Sequence, residues 1–373
     1  MIENHKTAFS LSPGSYLLSH SVGRPLTSAQ AALGEAYFAP WQKSGREPWA
    51  QWLSVIDSFT AALAQLFNGA ADDFCPQVNL SGAVTKLVMS LDRLQRPGAV
   101  VLMSEVDFPS MGFVMQQALP AECELRFIPK HLDLTDAAVW QRYISADVDL
   151  VFVSHAYSNS GVQAPLADII PLVKERGALS MIDVAQSAGI IPLDLTQLQP
   201  DFMVGSSVKW LCSGPGAAYL WVHPERIDDC QPKDVGWFSH ENPFEFNIHQ
   251  FRYHSGALRF WGGTPSIAPY AIAAHSIGYF AKIGSEALRA HNQELIDQVI
   301  DTLGEAVVSP HAPAQRSGTL ILQFGERQAE LLTALEQAHI SVDVRNLGIR
   351  VSPHIYTDSD DMHQLLQLIE HFS

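Results

Sequence analysis

From residue 98 to residue 222 the chain repeats one pattern, a short apolar run rich in β-formers followed by a longer amphipathic stretch. Residues 98–104 (GAVVLMS), 148–154 (VDLVFVS), 178–183 (ALSMID), 202–206 (FMVGS) and 217–222 (AAYLWV) are such runs. None alternates strictly between apolar and polar residues, so these strands are expected to be covered on both faces. Residues 165–176 (PLADIIPLVKER) carry helical spacing and end before Gly177, a residue suited to the position just past a helix. Buried strands separated by helices define an α/β domain around a mostly parallel sheet. In such a sheet a ligand sits beyond the carboxyl ends of the strands.

Past residue 270 the pattern changes. Residues 285–303 read as one long helix behind a serine cap, with Leu288, Leu295, Val299 and Leu303 among its apolar positions. Strand-like runs follow at 319–324, 340–344 and 348–352, and a last helix starts near Ser359. A chain of 373 residues exceeds one ordinary core. The expected division is an N-terminal segment (1–30) packed on the small domain, a large domain (31–270) and a small α+β domain (271–373).

Composition narrows the function. The chain is 47% hydrophobic and 17% charged, which suits a globular protein and not a disordered one. A formal charge of −16 argues against nucleic acid or an anionic membrane as the main partner. Four cysteines without a CxxC form neither a disulfide framework nor a zinc site. No run approaches the roughly 18 apolar residues of a membrane span, and the first residues show no secretory leader. A reducing, cytoplasmic setting is the expectation.

Residues 207–216 (SVKWLCSGPG) place one lysine, Lys209, between two strand-like runs and a glycine-rich turn. Twenty-six residues upstream, Asp183 ends the strand-like ALSMID. An amine and a carboxylate at neighbouring strand ends form an ion pair, or they anchor pyridoxal phosphate. In the second case the lysine bonds the aldehyde and the aspartate keeps the pyridine nitrogen protonated. The pattern alone leaves both open.

The stretch from Gly177 to Glu225 resembles the core of the class V (fold type I) pyridoxal-phosphate enzymes, and within them is most similar to kynureninase. Further matches follow in the same order: QVNLSGAVTKLV from Gln77, DFPS at 107–110, GWFSHENPF from Gly236, ALRFWGGTPSI from Ala257 and GIRVSPHIY from Gly348. Together they cover residues 77–356. The resemblance implies an enzyme using pyridoxal 5'-phosphate on an amino acid, as a homodimer with shared active sites. Lys209 then acts as Schiff-base lysine and general base, and Asp183 as pyridine partner. Leu80 and Ser81 precede a helix-like stretch from Ala83, whose free N–H groups suit a phosphate with the Ser81 hydroxyl as a further donor, while Phe108 resembles the ring that stacks on the cofactor. Gln186 and Trp237 resemble further cofactor contacts, with Thr264 supplied by the partner subunit. Arg350 resembles the clamp on the substrate α-carboxylate, a role its fork of donors suits and a lysine's does not. Arg259 is a second cation expected near the phosphate or the subunit contact.

Three positions depart from kynureninase. Gln186 stands where that family has histidine, Val208 where a tyrosine precedes the lysine, and Met111 where an aspartate follows F-P-S/T. The D-x-A-Q form occurs in cysteine desulfurase relatives, yet a desulfurase needs a nucleophilic cysteine in its C-terminal domain. Here the last cysteine is Cys230. An aminotransferase, a C–S lyase, an epimerase and a non-catalytic cofactor-binding protein stay open beside kynureninase-type hydrolysis. The glycines of 214–219 fail the dinucleotide pattern, because a strand-like run follows them. His240, His249 and His254 fit no common metal spacing, so no metal is expected, and no G-x-S-x-G occurs.

Overall fold

The computed structural model describes residues 5–372 of the chain; residues 1–4 of the expected N-terminal segment lie outside the described part. In chain order the strands are β1 (Ser15–Tyr16), β2 (Phe74–Gln77), β3 (Val100–Ser104), β4 (Glu124–Ile128), β5 (Leu150–Ser154), β6 (Leu179–Asp183), β7 (Phe202–Ser206), β8 (Ala218–Val222), β9 (Leu320–Leu322), β10 (Ile340–Ser341), β11 (Asp343–Arg345) and β12 (Gly348–Val351). Seven of them form one sheet in the order β2-β8-β7-β6-β5-β3-β4. All its pairings are parallel except those of β8, which runs against both of its neighbours. The fold is therefore the expected α/β class, a mostly parallel large sheet with a smaller α+β unit.

The alternation along each strand builds two cores. On β7, Met203 faces one core, while Phe202 and Val204 face the other. The first core takes the helices Trp49–Phe67 and Ala268–Ile283 through Phe59, Tyr270 and Ile277. The second takes Leu80–Ser90 and Pro109–Ala118 through Val84, Leu87 and Met115. Burial of the central strands on both faces explains their unbroken apolar runs.

Two strands of the large sheet escaped the sequence reading because both are edge strands. β4 leaves Glu124 exposed and pairs only with β3. β2 carries Pro76, which an edge tolerates because no ladder bond is lost on the open side. The helix Leu166–Glu175 ends as expected, with Gly177 at φ +72°.

The smaller unit packs the sheet β11-β12-β9 against the helices Ser285–Leu303, Gln328–Gln337 and Ser359–Ile369. Its antiparallel strands are shorter than expected, and the run 340–344 breaks at Val342. β10 pairs in parallel with β1, while β11 joins the other sheet. Ser285 is the first helical residue and not the cap; Gly284 occupies that position without a side-chain bond. The N-terminal segment reaches this unit through Lys6, whose Nζ lies 2.9 Å from Asp358 and 2.7 Å from Asp361. Ser15 Oγ donates to Asp361 at 2.7 Å. Among the described residues, no helix is long and apolar enough to cross a membrane.

Candidate active site

The carboxyl ends of β3, β5, β6 and β7 open onto a cavity of about 220 Å³. β6 ends on Asp183 and β5 on Ser154. After β7 the chain turns tightly, with Ser207 N–H donating to the Ala217 carbonyl at 3.1 Å and Ser213 N–H to the Ser207 carbonyl at 3.0 Å. Gly214 and Gly216 take φ of +75° and +97° inside this turn, a conformation costly for other residues. That geometry holds Lys209 at the cavity. The N-terminal segment crosses the same turn, where Gly23 N–H donates to the Val208 carbonyl at 2.9 Å. A Cβ on Gly23 would lie 2.0 Å from the Lys209 carbonyl oxygen, so only glycine fits.

Leu80, Ser81, Phe108, Asp183, Gln186 and Lys209, six of the expected residues, line this one cavity. Asp183 is buried and accepts from the Ala185 N–H at 2.8 Å. Burial pushes its carboxyl up, against the pull of that bond and of Lys209. Burial likewise draws the Lys209 amine below its ordinary range; Asp183 opposes the change and Arg350 adds to it. Both charged forms are costly here, so each is stabilised by the other or by a charged guest.

The helix Leu80–Ser90 starts at the cavity. Asn79 caps it by accepting from Gly82 N–H at 2.8 Å, and the first-turn N–H groups at Leu80 and Ser81 have no intrahelical acceptor. This helix begins a full turn earlier than the sequence suggested, which brings Leu80 and Ser81 into it. Across the cavity, Phe108 precedes the helix Pro109–Ala118 with its ring 56% exposed and centred 6.0 Å from Lys209 Nζ.

Three expected residues lie outside this lining. Trp237 sits by a second cavity of about 330 Å³ with Phe246, Ile248 and Phe251. Thr264 is exposed in its turn. Arg350, 4% exposed, is paired to Asp343 and donates from Nη1 at 3.1 Å to the carbonyl of Ser158, a cavity residue. Gln186 is spoken for in part: its Nε2 donates to the His20 carbonyl at 3.0 Å. Arg259 is buried and donates to the carbonyls of His254 at 3.1 Å and Cys230 at 3.1 Å. Within this chain its guanidinium holds a loop.

Sequence reasoning missed several groups. Asp107 accepts from Ser104 N–H at 2.8 Å and Ser154 Oγ at 2.7 Å. Burial pushes its carboxyl up to about 7 against those bonds, and nearby Asp183 adds to the rise. Its signal was its place directly before Phe108 in the DFPS match. Tyr157 lines the cavity buried, with its hydroxyl unpartnered among the described residues. The departures Val208 and Met111 line it as well.

Comparison with known proteins agrees with this architecture. Residues 63–365 match the family Aminotransferase class-V. Isopenicillin N epimerase from Streptomyces clavuligerus is 28% identical over 329 residues, covering 83% of this chain and 82% of that protein. Kynureninase from Burkholderia mallei (strain SAVP1) is 27% identical over 295 residues, covering 76% of this chain and 69% of that protein. A mutant of C-DES, with glycine covalently linked to its PLP cofactor, superimposes with a TM-score of 0.88 at 20% identity, over 100% of both chains. The chain belongs to the class-V aminotransferase family and is an enzyme of that superfamily.

Proposed function

We propose that the cavity holds pyridoxal 5'-phosphate and that the enzyme acts at Cα and Cβ of an α-amino acid. One observation carries this reading: a part-buried amine and a buried carboxylate, Lys209 and Asp183, face one cavity bounded by a helix N-terminus and an exposed aromatic ring. The donor set fits the group at each of its ends. Asp183 would face the ring nitrogen, Lys209 would hold the aldehyde carbon, Ser81 and the first-turn N–H groups of Leu80 and Ser81 would face the phosphate, and Phe108 would cover the ring. Bound there, the cofactor supplies an electron sink for the bond broken at Cα.

The residues of the chain do the rest. Lys209, its amine drawn below the ordinary range by burial, would move the Cα proton through Nζ. Asp183 would balance a positive charge on the ring nitrogen, which in turn would favour its ionised form. Arg350 orients the substrate carboxylate at the rim beside Ser158. Trp237 and Thr264 serve the phosphate in a homodimer, with Thr264 coming from a second copy. Exposed Phe246 (76%) and Ile248 (92%) around Trp237 support a subunit contact there. A reducing, cytoplasmic setting belongs to the same proposal, supported by four cysteines present as free thiols.

For the reaction we propose kynureninase-like hydrolysis of the Cβ–Cγ bond of kynurenine or a related aryl-keto amino acid, giving alanine and an anthranilate. The matched motifs and the 27% identical kynureninase support it. A second reading, epimerisation at Cα, is supported by the 28% identical epimerase, while Gln186, Val208 and Met111 around the cavity mark where this chain departs from kynureninase. The test incubates cofactor-loaded protein with L-kynurenine and 3-hydroxykynurenine, with products followed by mass spectrometry. Alanine and anthranilate formed in equal amounts support hydrolysis. Their absence, with proton exchange at Cα of other amino acids in deuterated water, overturns hydrolysis in favour of the second reading.

A further inference from the structure

Arg350 does not reach the cavity rim alone. Asp343 on β11 stands directly opposite it on β12, in antiparallel register. The Asp343 carboxylate accepts from Arg350 Nε at 2.8 Å and also from Nη2, a side-on fork. His20, 1% exposed, donates from Nε2 to the same carboxylate at 2.9 Å. The other ring nitrogen of His20 is 2.6 Å from Ser352 Oγ, which bonds Thr319 Oγ1 at 2.8 Å. Burial keeps the His20 ring below its ordinary value, and the hydrogen bonds from His20 and Arg350 hold Asp343 well below the carboxylate range although burial opposes them.

A guanidinium has five N–H groups. Nε and one N–H of Nη2 go to Asp343, and one N–H of Nη1 goes to the Ser158 carbonyl. Two are left, one on each terminal nitrogen. Two parallel donors are what a carboxylate accepts. Ser158 lines the cavity, and Arg350 lies close enough to Lys209 to act on its charge.

We propose that Asp343, held by His20, is a positioning residue that fixes Arg350 with its end-on edge toward the substrate carboxylate. The inference rests on the reading of Arg350 as the carboxylate clamp. Charge and orientation predict opposite effects. Removing Asp343 unmasks a full positive charge, which alone would tighten binding of an anion. It also frees a long side chain with several rotamers, which weakens a bidentate contact. The proposal states that orientation wins.

The experiment titrates cofactor-loaded wild-type, Asp343→Ala, Asp343→Asn and Arg350→Ala proteins with L-alanine and with ethylamine, the same amine without a carboxylate. Cofactor absorbance reports binding. We expect Asp343→Ala to lose roughly tenfold in affinity for L-alanine, in line with an interaction to a charged group, while ethylamine binding is unchanged. Asp343→Asn, which keeps shape and one acceptor, falls between and carries the test should the alanine variant fail to load cofactor. Equal losses for both ligands, or tighter L-alanine binding, overturn the proposal while an Arg350→Ala protein that no longer distinguishes the ligands keeps the clamp. An Arg350→Ala protein that still prefers L-alanine removes the clamp itself, and the inference with it.

Discussion

The floor of the cavity and its rim are built by different means. Asp107, Ser154, Asp183 and Lys209 stand at or just beyond the ends of adjacent strands in one sheet, between residues 107 and 209. The rim joins Arg350 to Asp343 in a three-stranded sheet, then to His20, 323 positions away along the chain. Gln186 links the two regions through the His20 carbonyl. Sheet topology fixes the floor, whereas docking of the two chain ends fixes the rim. On the proposed function, chemistry and cofactor retention would belong to the floor, and substrate selection to the rim.

Substitutions at the two places break or sharpen that division. The largest effect is expected at the floor. Lys209→Ala should lower turnover by about three to four orders of magnitude, the span of a positioned acid–base group, measured by product formation at saturating substrate. More than a tenth of wild-type turnover would place the proton transfer elsewhere. Asp183→Asn should retain cofactor in absorbance spectra yet lose about a hundredfold or more in rate, as loss of a positioned charge does. A rate near wild type would separate Asp183 from the ring nitrogen.

At the rim the effect is smaller and of another kind. Arg350→Ala should raise KM by roughly ten- to a hundredfold, the worth of charged hydrogen bonds, with kcat nearly unchanged in steady-state kinetics. A fall in kcat at constant KM would move Arg350 from substrate binding to the chemistry. The smallest effect concerns the packing behind the lysine turn. His354 is buried, donates from Nε2 to the Trp210 carbonyl at 2.8 Å and accepts at Nδ1 from the Ile355 N–H at 2.6 Å. Both nitrogens are satisfied only in the neutral ring, and burial holds its value down to about 4. Because the folded value is depressed, this stabilisation is complete above the ordinary histidine value and is lost as pH falls toward 4. Over that window the ring should contribute about 1.4 kcal/mol per pH unit to the slope. Denaturant unfolding of His354→Gln between pH 4 and 6.5 should show a slope shallower by that amount, and an unchanged slope would show that the ring titrates freely.

The same division explains what the sequence made legible. Strands buried on both faces left continuous apolar runs, so the sheet's centre and the ends carrying Asp183 and Lys209 were readable. The edge strands β2 and β4 left no such run. Resemblance pointed to Leu80, Ser81, Phe108 and Gln186, and the fold gathers them at one cavity. It also pointed to Trp237 and Thr264, which this single chain does not bring there. Asp343 and His20 carried no signal, because nothing local requires a charge at either place. Their partners are set by tertiary packing: β1 beside β10, and the Leu18–Ser352 bridge that lays the N-terminal segment along the small sheet. Arg259, also pointed to, satisfies loop carbonyls within this chain.

The central claim is that Lys209 carries the cofactor. Protein incubated with pyridoxal 5'-phosphate, reduced with borohydride, digested and analysed by peptide mass spectrometry tests it directly. The account predicts the added phosphopyridoxyl mass on the peptide containing Lys209 and its loss in Lys209→Ala. The mass on another lysine, or on none while the protein stays folded, would contradict it.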